Sequence, residues 1–435
     1  MMAAYVFLEQ TSNNWAINYY DMLGSAFMIG NTYLHYMPSA DLLALPNPYD
    51  PITRGKTFFI WDSVLYNGKY YLYFGPVPAL IPWIPVKWLT TVSLTDQIIT
   101  LFYATLGSFS LLLLLYRVAK KMYPDAVCSA KFILIWLITA LPLCFGTAIP
   151  LLLKRPMFYE AAIAGAYAYT ALGIILLWYA YAESVRKPFL WKLLASLCFG
   201  LAAGCRIFHG ANILILLVIW LCLFDKKSLS YSFKEALTLF TPWLAVIASI
   251  AAYNYLRFGS IFESGASYQL SYFNYTLPGS LFGDAQRFLL NLQVYLFTPI
   301  SADNLIPWKP AFGRANSENI FGIFTNNIFL LWCLLIIPML RVKIKENRFF
   351  VSLIFGVSVY GASCFILIMF YTFQSGRYMA DFSPWLMLCA AVCFMHLALT
   401  QKTLKRQQII IALGVLTSAW TVYSGFFAFS CIKCF

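Results

Sequence analysis

Long apolar segments recur along almost the whole chain, and they restrict the fold more than any other feature. A segment of about 20 apolar residues can cross a hydrocarbon core of about 30 Å as a helix. Only 11% of the 435 residues are charged, whereas a soluble protein carries about 25%. The sequence therefore predicts an all-α, polytopic transmembrane helical bundle. We predict ten spans, at residues 97–118, 129–153, 158–182, 190–205, 211–224, 236–256, 320–340, 349–371, 380–399 and 408–430.

The apolar segment 190–224 is interrupted by Arg206 and His209, and each half is short for a span. The loops on its two sides are both rich in lysine and arginine, which is typical of cytoplasmic loops. An even number of crossings must therefore lie between them. We predict a tight helical hairpin with Arg206 and His209 at its far tip.

Basic residues are distributed unevenly between the predicted loops. Five loops hold 17 of the 30 lysines and arginines, which assigns these loops to the cytoplasmic side. The opposite face receives 12 of the 17 acidic residues. We therefore expect the polar chemistry to face outward, towards a periplasm or a lumen.

Residues 1–96 are predicted to form an outer loop, and residues 97–435 a transmembrane domain with a second outer loop at 257–319. Residues 73–89 are apolar but contain four prolines, which disfavour a spanning helix. We interpret them as an interfacial or re-entrant segment with Trp83 and Trp88 at the membrane boundary. Residues 284–297 are predicted to form an amphipathic surface helix. The first ten residues are too few to span, so we expect a missing preceding helix as an eleventh span.

Two of the outward acids stand out by their positions. Asp62 lies in a polar, aromatic loop, and Glu160 is at the start of a predicted span. An acid at the membrane boundary is costly unless it is paired, bound to a metal or in a watery cavity. Alternatively, Glu160 stabilises a helix N-terminus through the helix dipole. Asp50 is better explained by the chemistry of its proline-rich turn.

Four basic residues are predicted near the outer membrane boundary: Lys69, Arg206, Arg257 and Arg377. Such side chains can extend to the interface or pair with carboxylates, but they also bind phosphate. Together with several acids on the same face, they predict an anionic ligand beside the bilayer. The tyrosine-rich residues 66–74 suit stacking on sugars, although loop packing would also explain them.

Several other classes of protein lack support in the sequence. The three histidines are scattered, and the C-x-x-C pair Cys431 and Cys434 has no second pair nearby to complete a zinc site. No phosphate-binding P-loop, G-x-G-x-x-G or G-x-S-x-G motif is present. The loop clusters account for the net charge of +13, so nucleic acid is not an expected partner.

Residues 62–80, DSVLYNGKYYLYFGPVPAL, resemble the first outer loop of multi-spanning GT-C glycosyltransferases. The resemblance is to the protein mannosyltransferase and aminoarabinose transferase type, glycosyltransferase family 39. Tyr159-Glu160-Ala161 is similar to the family's second acid after its third helix. Further similar segments are GLAAGCRIFHGANILIL (200–216), YNYLRFGS (253–260) and GRYMADFSPWLML (376–388).

This resemblance implies transfer of a sugar from a polyprenyl-phosphate donor to a lipid, glycan or protein acceptor. Asp62 would be the catalytic base, with Asp21 as the alternative because the family's first acid follows its first helix. Glu160 would orient the acceptor or hold a divalent cation, Mg²⁺ or Mn²⁺. The remaining roles are phosphate binding by Lys69, Arg206 and Arg377, and contacts to sugar or prenyl chain by Tyr70, Tyr73 and Tyr378.

The predicted topology suits a bacterial inner membrane with the site facing the periplasm, and a lumenal site in an endoplasmic reticulum membrane would satisfy the same charge rule. A transporter or flippase of an anionic lipid-linked glycan is the alternative function, but such proteins carry mid-span charges and often a repeat. A non-catalytic scaffold would leave the outer charges unexplained. An enzyme predicts that Asp62, Glu160, Lys69 and Arg206 line one outer cavity.

Overall fold

The computed structural model describes residues 18–127, 129–224, 228–298, 320, 322–343 and 346–431, and nearly all of its regular structure is helical. The part before the first long helix contains α1 (Tyr19–Met28), α2 (Ala40–Leu43), α3 (Pro51–Arg54), β1 (Val64–Tyr66), β2 (Lys69–Tyr71), a π-helical turn (Ala79–Trp83) and α4 (Ile84–Thr90). The helices that follow are α5 (Asp96–Met122), α6 (Pro124–Val127), α7 (Ala130–Phe145), α8 (Ile149–Lys154), α9 (Phe158–Ala182), α10 (Pro188–Cys205), α11 (Ile213–Leu223), α12 (Leu229–Phe258), α13 (Ala285–Phe297), α14 (Ile323–Asn326), α15 (Ile336–Lys343), α16 (Arg348–Met369), α17 (Ser383–Leu399) and α18 (Leu404–Cys431).

Within the described ranges, six helices are long and apolar enough to cross a membrane, namely α5, α9, α10, α12, α16 and α18. Three apolar helical stretches are shorter: Ala130–Phe145, Ile207–Leu223 and Ser383–Leu399. The predicted span at 320–340 consists of short α and 3₁₀ pieces instead of one helix. The chain is therefore an all-α membrane protein, while the predicted count of ten crossings stays a prediction.

The helix before Arg206 ends where the hairpin was predicted. Arg206 is in an extended conformation after α10, and a 3₁₀ segment, Ile207–Asn212, leads into α11. The Asn212 side-chain amide donates a hydrogen bond to the Phe199 carbonyl at 2.8 Å. The chain therefore turns back against α10 over residues 206–212, and α11 then packs mainly against α16 and α12, so the break at Arg206 is confirmed and the tight pairing of two helices stays a prediction.

Helix α9 forms the centre of the bundle, and small residues explain how closely its neighbours approach. A Cβ atom on Gly165 would come within 3.1 Å of the Tyr103 ring, and one on Gly107 of α5 would come within 2.4 Å of the Tyr167 ring. Small residues at helix interfaces let membrane helices pack tightly. As a result, α9 is buried along almost its whole length.

The proline-rich segment 73–89 folds back against α1 and is not a spanning helix. Trp83 is fully buried, its indole N–H donates to the Asp21 carboxylate at 3.0 Å, and its ring covers Gly24. Trp88, by contrast, is 74% exposed. Trp83 thus finds a partner for its N–H inside the fold, and the prediction that both tryptophans lie at the membrane boundary stays a prediction.

A small β-hairpin, β1 and β2, is the exception to the all-α prediction. Its turn residues Asn67 and Gly68 both have positive φ, at 46° and 70°. An Asn-Gly turn flanked by apolar residues is a strong hairpin signal, so the sequence carried information that the all-α prediction did not use. Asp62 and Ser63 directly precede β1 of the hairpin. They lie beside Leu270, whose N–H donates to the Ser63 carbonyl at 2.8 Å.

Helix α13 matches the predicted amphipathic helix and supports the loop that follows α16. The Asn291 amide donates hydrogen bonds to the carbonyls of Met369 and Tyr371, both at 2.8 Å. The Tyr295 hydroxyl donates to the Ser375 carbonyl at 3.0 Å. These contacts position the loop that carries Arg377.

Candidate functional site

A cavity of about 300 Å³ lies where four separate parts of the chain meet. Residues 73–76, 203–208, 250–267 and 371–378 contribute most of its wall. Its lining includes three arginines, five tyrosines and one carboxylate, namely Arg206, Arg257, Arg377, Tyr73, Tyr159, Tyr253, Tyr371, Tyr378 and Glu263, together with the neutral polar residues Asn254, Ser264 and Ser267. The volume is at the lower end for ligand sites, and the lining suggests an anion with a polar attachment.

Arg206 is buried at the break between α10 and the 3₁₀ segment, and a chain of polar groups fixes it from behind. Its guanidinium lies 2.9 Å from one oxygen of Asp381, whose other oxygen lies 3.0 Å from His209 Nε2. The Tyr360 hydroxyl is hydrogen-bonded to Nδ1 of the same histidine. This pairing offsets the cost of burying the guanidinium and holds it at the cavity wall.

Arg377 joins the cavity to the N-terminus of α9. Its Nη1 lies 3.2 Å from Glu160 Oε1, while Glu160 Oε2 accepts a hydrogen bond from the Met157 N–H, also at 3.2 Å. The Arg377 guanidinium lies 4.4 Å from the centre of the Tyr159 ring. Glu160 therefore caps its helix and anchors Arg377 at the same time.

Arg257, at the end of α12, is held by neutral acceptors. It donates to the Leu72 carbonyl at 2.7 Å and to the Asn254 side-chain oxygen at 2.8 Å, and it stacks 3.9 Å from the centre of the Tyr253 ring. In the described part of the chain, no carboxylate oxygen lies within 4.0 Å of this guanidinium. The cavity thus contains a positive charge without an ion-pair partner there, which favours an anionic ligand.

Asp62 lies just behind the cavity wall. Its N–H donates to the Leu270 carbonyl at 2.9 Å, and its carboxylate accepts a hydrogen bond from the Tyr159 hydroxyl. Burial raises the pKa of Asp62, whereas hydrogen bonds from Tyr159, Ser271 and Gln269 and the nearby Arg377 charge oppose that rise. An aspartate with a raised pKa is a better proton acceptor at neutral pH.

The structure brings only part of the predicted site together. Arg206, Arg377, Tyr73 and Tyr378 line the cavity, while Asp62 and Glu160 lie behind it and contact it through Tyr159 and Arg377. The expectation that Asp62, Glu160, Lys69 and Arg206 all line one cavity is therefore met by Arg206 alone.

Three predicted residues lie elsewhere. Lys69 is exposed on the hairpin with its ammonium 4.2 Å from the centre of the Tyr33 ring. Tyr70 is fully buried in the apolar core, and Asp21 binds the Trp83 indole. The geometry thus gives these three residues packing contacts, because the hairpin and α1 turn them away from the cavity.

Sequence reasoning missed the part played by Tyr159. This residue lines the cavity and is hydrogen-bonded to Asp62. The available signal was its place next to Glu160 at the start of a predicted span, but many tyrosines occupy span ends as interfacial residues. Only the fold shows that this one points at a carboxylate from a loop 97 residues away.

The residues around Glu160 do not fit a divalent cation site. Each of its oxygens has a protein partner, one of them a guanidinium. Among the residues that the structure describes, no three histidine, cysteine, aspartate or glutamate side chains are grouped to hold a metal ion, whereas Mg²⁺ and Mn²⁺ prefer several oxygen ligands. The proposals below therefore use only the side chains of the protein.

The fold is similar to that of a solved glycosyltransferase of the membrane, an archaeal oligosaccharyltransferase. The crystal structure of the Archaeoglobus fulgidus oligosaccharyltransferase in the apo form matches with a TM-score of 0.50 and 11% sequence identity, over 96% of this chain and 52% of that one. The chain thus spans about half the length of that protein.

Two further structures of the archaeal enzyme match less well. One is tethered to an acceptor peptide containing the NVT sequon, with a TM-score of 0.48 and 10% identity, and the other is in complex with an inhibitory peptide and a dolichol-phosphate, with a TM-score of 0.46 and 12% identity. Each match covers 96% of this chain and 51% of the other. No family model matches the sequence, and no curated protein does either.

Proposed function

We propose that this protein transfers a sugar from a polyprenyl-phosphate donor to a lipid, glycan or protein acceptor on the non-cytoplasmic face of a membrane. The observation that carries the proposal is the convergence of Arg206, Arg257 and Arg377 on one cavity. They come from parts of the chain that are far apart in sequence, so local sequence does not account for their meeting. The GT-C fold supports glycosyl transfer in general.

The three arginines suit the phosphate of the donor. When the bond between the sugar and the phosphate breaks, negative charge grows on the leaving oxygen, and fixed cations stabilise that charge. Apolar residues of the same wall, among them Ile207, Phe208 and Phe282, would contact the first part of the prenyl chain. Arg206 and Arg377 are paired with carboxylates, whereas Arg257 is hydrogen-bonded to neutral acceptors. The charge of Arg257 is therefore the least compensated of the three.

Asp62 is the proposed base of the transfer. The acceptor hydroxyl loses its proton towards Asp62, and the acceptor oxygen attacks C1 of the sugar. The bond from C1 to the phosphate oxygen then breaks, and the phosphate leaves with the electron pair. General-base assistance of this kind contributes a factor of about 10²–10⁴.

Purified protein in lipid nanodiscs provides the test. Polyprenyl phosphate without a sugar should raise the melting temperature of the wild-type protein, since it carries the part that the arginines bind. Arg257→Met should weaken this binding about 10- to 100-fold, because a charge-assisted hydrogen bond contributes about 1.5–3 kcal/mol. Lys56→Ala, a change at an exposed lysine of the same outer segment, is the matched control and should bind normally.

Activity is then measured with a set of radiolabelled polyprenyl-phosphate sugars. The proposal predicts release of polyprenyl phosphate and appearance of the label on an acceptor. Movement of the intact labelled lipid between leaflets of a liposome, without cleavage, would instead support the flippase alternative. If the wild-type protein neither binds polyprenyl phosphate nor cleaves any labelled donor, the proposed function is wrong.

A further inference from the structure

We infer that Tyr159 is a catalytic residue that carries the proton from the acceptor hydroxyl to Asp62. This inference rests on the proposed function and adds a residue to its chemistry. It explains how a base that lies behind the cavity wall reaches a substrate inside the cavity.

The inference rests on the position of Tyr159 between the cavity and Asp62. Tyr159 lines the cavity, and Asp62 does not. The Tyr159 hydroxyl donates its hydrogen bond to Asp62, which is 9% exposed. A proton that leaves an acceptor in the cavity therefore meets the phenol oxygen before it meets the carboxylate.

The position of Tyr159 is fixed on several sides. It is the second residue of α9, whose N-terminus is capped by Glu160. The preceding ring of Phe158 stacks on Tyr19 with 4.1 Å between ring centres, and the Tyr159 ring meets Phe74 edge-on at 5.9 Å. A side chain held in this way keeps its hydroxyl aimed at Asp62, as a proton carrier requires.

The transfer balances without any added reagent. As the acceptor oxygen attacks C1 of the sugar, its proton forms a bond to the Tyr159 oxygen. The original Tyr159 hydroxyl proton passes to Asp62, which becomes neutral, and Tyr159 is regenerated. The electron pair of the broken bond leaves on the phosphate oxygen, beside the arginines. Proton loss from Asp62 to water after product release completes the cycle.

The charges around Tyr159 determine how the two protons can move. The Arg377 guanidinium lies over its ring, and the N-terminal end of α9 adds the positive end of a helix dipole. Burial and the adjacent Asp62 carboxylate oppose these positive groups and disfavour negative charge on the phenol oxygen, so the two protons must move in one concerted step.

Single-turnover kinetics with a competent donor test the inference. Tyr159→Phe should lower the transfer rate about 10²- to 10⁴-fold, the range of general-base assistance, and change donor affinity less than about threefold. Tyr169→Phe is the matched control: it removes a tyrosine hydroxyl from the same helix, one that pairs with Tyr103 away from the cavity wall, and should react at the wild-type rate. Melting temperatures verify that each variant is folded.

Proton counting separates a carrier from a residue that merely orients Asp62. In mixtures of H₂O and D₂O, the wild-type rate should depend on deuterium content with the curvature of two moving protons, and the residual rate of Tyr159→Phe should be linear. The double variant with Asp62→Asn should be no slower than the slower single variant, since both residues serve one pathway.

Two results would overturn the inference while leaving the proposed function intact. One is full activity of Tyr159→Phe together with inactivity of Asp62→Asn, which would mean that Asp62 reacts directly. The other is a linear dependence on deuterium for the wild-type protein, which would mean that one proton moves. A wild-type protein that cleaves no labelled donor would refute the proposed function itself.

Discussion

At the scale of the residue, Asp62 is notable for its backbone as well as its side chain. Its φ of 51° lies in the left-handed region, which costs a non-glycine residue of the order of 1–3 kcal/mol. The hydrogen bonds of Leu270 to the backbone of residues 62 and 63 hold this conformation in place. Strain of this kind is found at functional sites, where it aims a side chain.

The raised pKa of Asp62 predicts a pH-dependent effect of its removal on stability. The folded state binds the proton more tightly than the unfolded chain, so this residue lowers stability as pH rises through the pKa of the folded state. Asp62→Asn keeps an acceptor for the Tyr159 hydroxyl. It should therefore melt about 1–3 °C above the wild-type protein at pH 8, and the gain should shrink as the pH falls towards 4. Melting curves from pH 4 to pH 8 measure it, and a lower melting temperature at pH 8 would contradict it.

At the scale of the element, two interrupted helices meet inside the bundle. Arg206 follows the end of α10, and Asp381 is the last residue of a second 3₁₀ segment, Gly376–Asp381, which precedes α17. Each break frees a charged side chain at the same depth, and the two charges pair at 2.9 Å with almost no exposure to solvent. The breaks therefore bring a buried ion pair to the cavity that continuous helices would not.

Asp381→Asn should raise the donor KM about tenfold or more and change kcat less, because Arg206 loses the partner that positions it. Removal of one member of a buried pair also costs about 3–5 kcal/mol of stability. Asp381→Glu, which keeps the charge, should recover part of the affinity. Steady-state kinetics with a labelled donor measure both.

The control for that change is Glu235→Gln. Glu235 pairs with Lys192 at 2.6 Å, in another largely buried ion pair that does not line the cavity. This variant should lose stability and retain the wild-type KM. Equal KM changes in the two variants would show that the effect of Asp381 is general destabilisation.

Arg54 joins the two loops that are predicted to lie on the outer face, and its removal should affect the position of Asp62. It donates to the Pro48 carbonyl at 2.9 Å and to the Ser271 carbonyl, and it stacks 4.2 Å from the centre of the Phe59 ring. Burial lowers the pKa of Arg54 to about 10, so it stays charged at neutral pH. Arg54→Met leaves two carbonyls without a donor, at a cost of about 1–3 kcal/mol each.

We expect Arg54→Met to lower kcat severalfold and to leave binding of polyprenyl phosphate unchanged, since the loops hold Asp62 and the arginines lie elsewhere. Arg54→Lys, which retains one donor group, should fall between the variant and the wild-type protein. An unchanged kcat would mean that Asp62 is held without the help of Arg54. Transfer assays measure kcat, and the rise in melting temperature with polyprenyl phosphate measures binding, so the two effects can be distinguished.

At the scale of the whole molecule, the distribution of charge predicts its orientation. Lys56 belongs to the predicted outer face, and Lys402 to a predicted cytoplasmic loop. A membrane-impermeant maleimide applied to intact cells should label Lys56→Cys and spare Lys402→Cys, with the wild-type chain as the background for its own cysteines. Lysed cells should allow labelling of both. The reverse pattern would invert the topology.

The helical elements could be predicted from the sequence because burial in a bilayer demands long apolar runs. Arg206 and Arg377 could be placed near a site because several bases and acids on one predicted face indicate an anionic ligand. The reversal of the chain at Arg206 followed from the parity of the basic loops. These inferences rest on properties that each segment carries by itself.

The remaining features depend on tertiary contacts. The separation of Asp62 from the cavity by Tyr159 arises where a loop meets a helix 97 residues later. The burial of Trp83 depends on Asp21 and Gly24 on another element. Lys69 is turned outward by the alternation of a short strand, which an all-helical interpretation does not include. The division into residues 1–96 and 97–435 remains a prediction.

Helix α12 differs from α9 in how much of it the protein covers: 11% of its most apolar stretch is buried, against 89% for α9. Local opening is cheapest where few contacts must be broken. In a bilayer the uncovered surface of α12 faces lipid, so lipid contacts as well as protein contacts hold this helix. Arg257 is at the end of this lipid-facing helix, whereas Arg377 is paired with Glu160 of the buried helix α9. The lipids around α12 would therefore influence how readily Arg257 releases its ligand, and the turnover rate would depend on the composition of the bilayer.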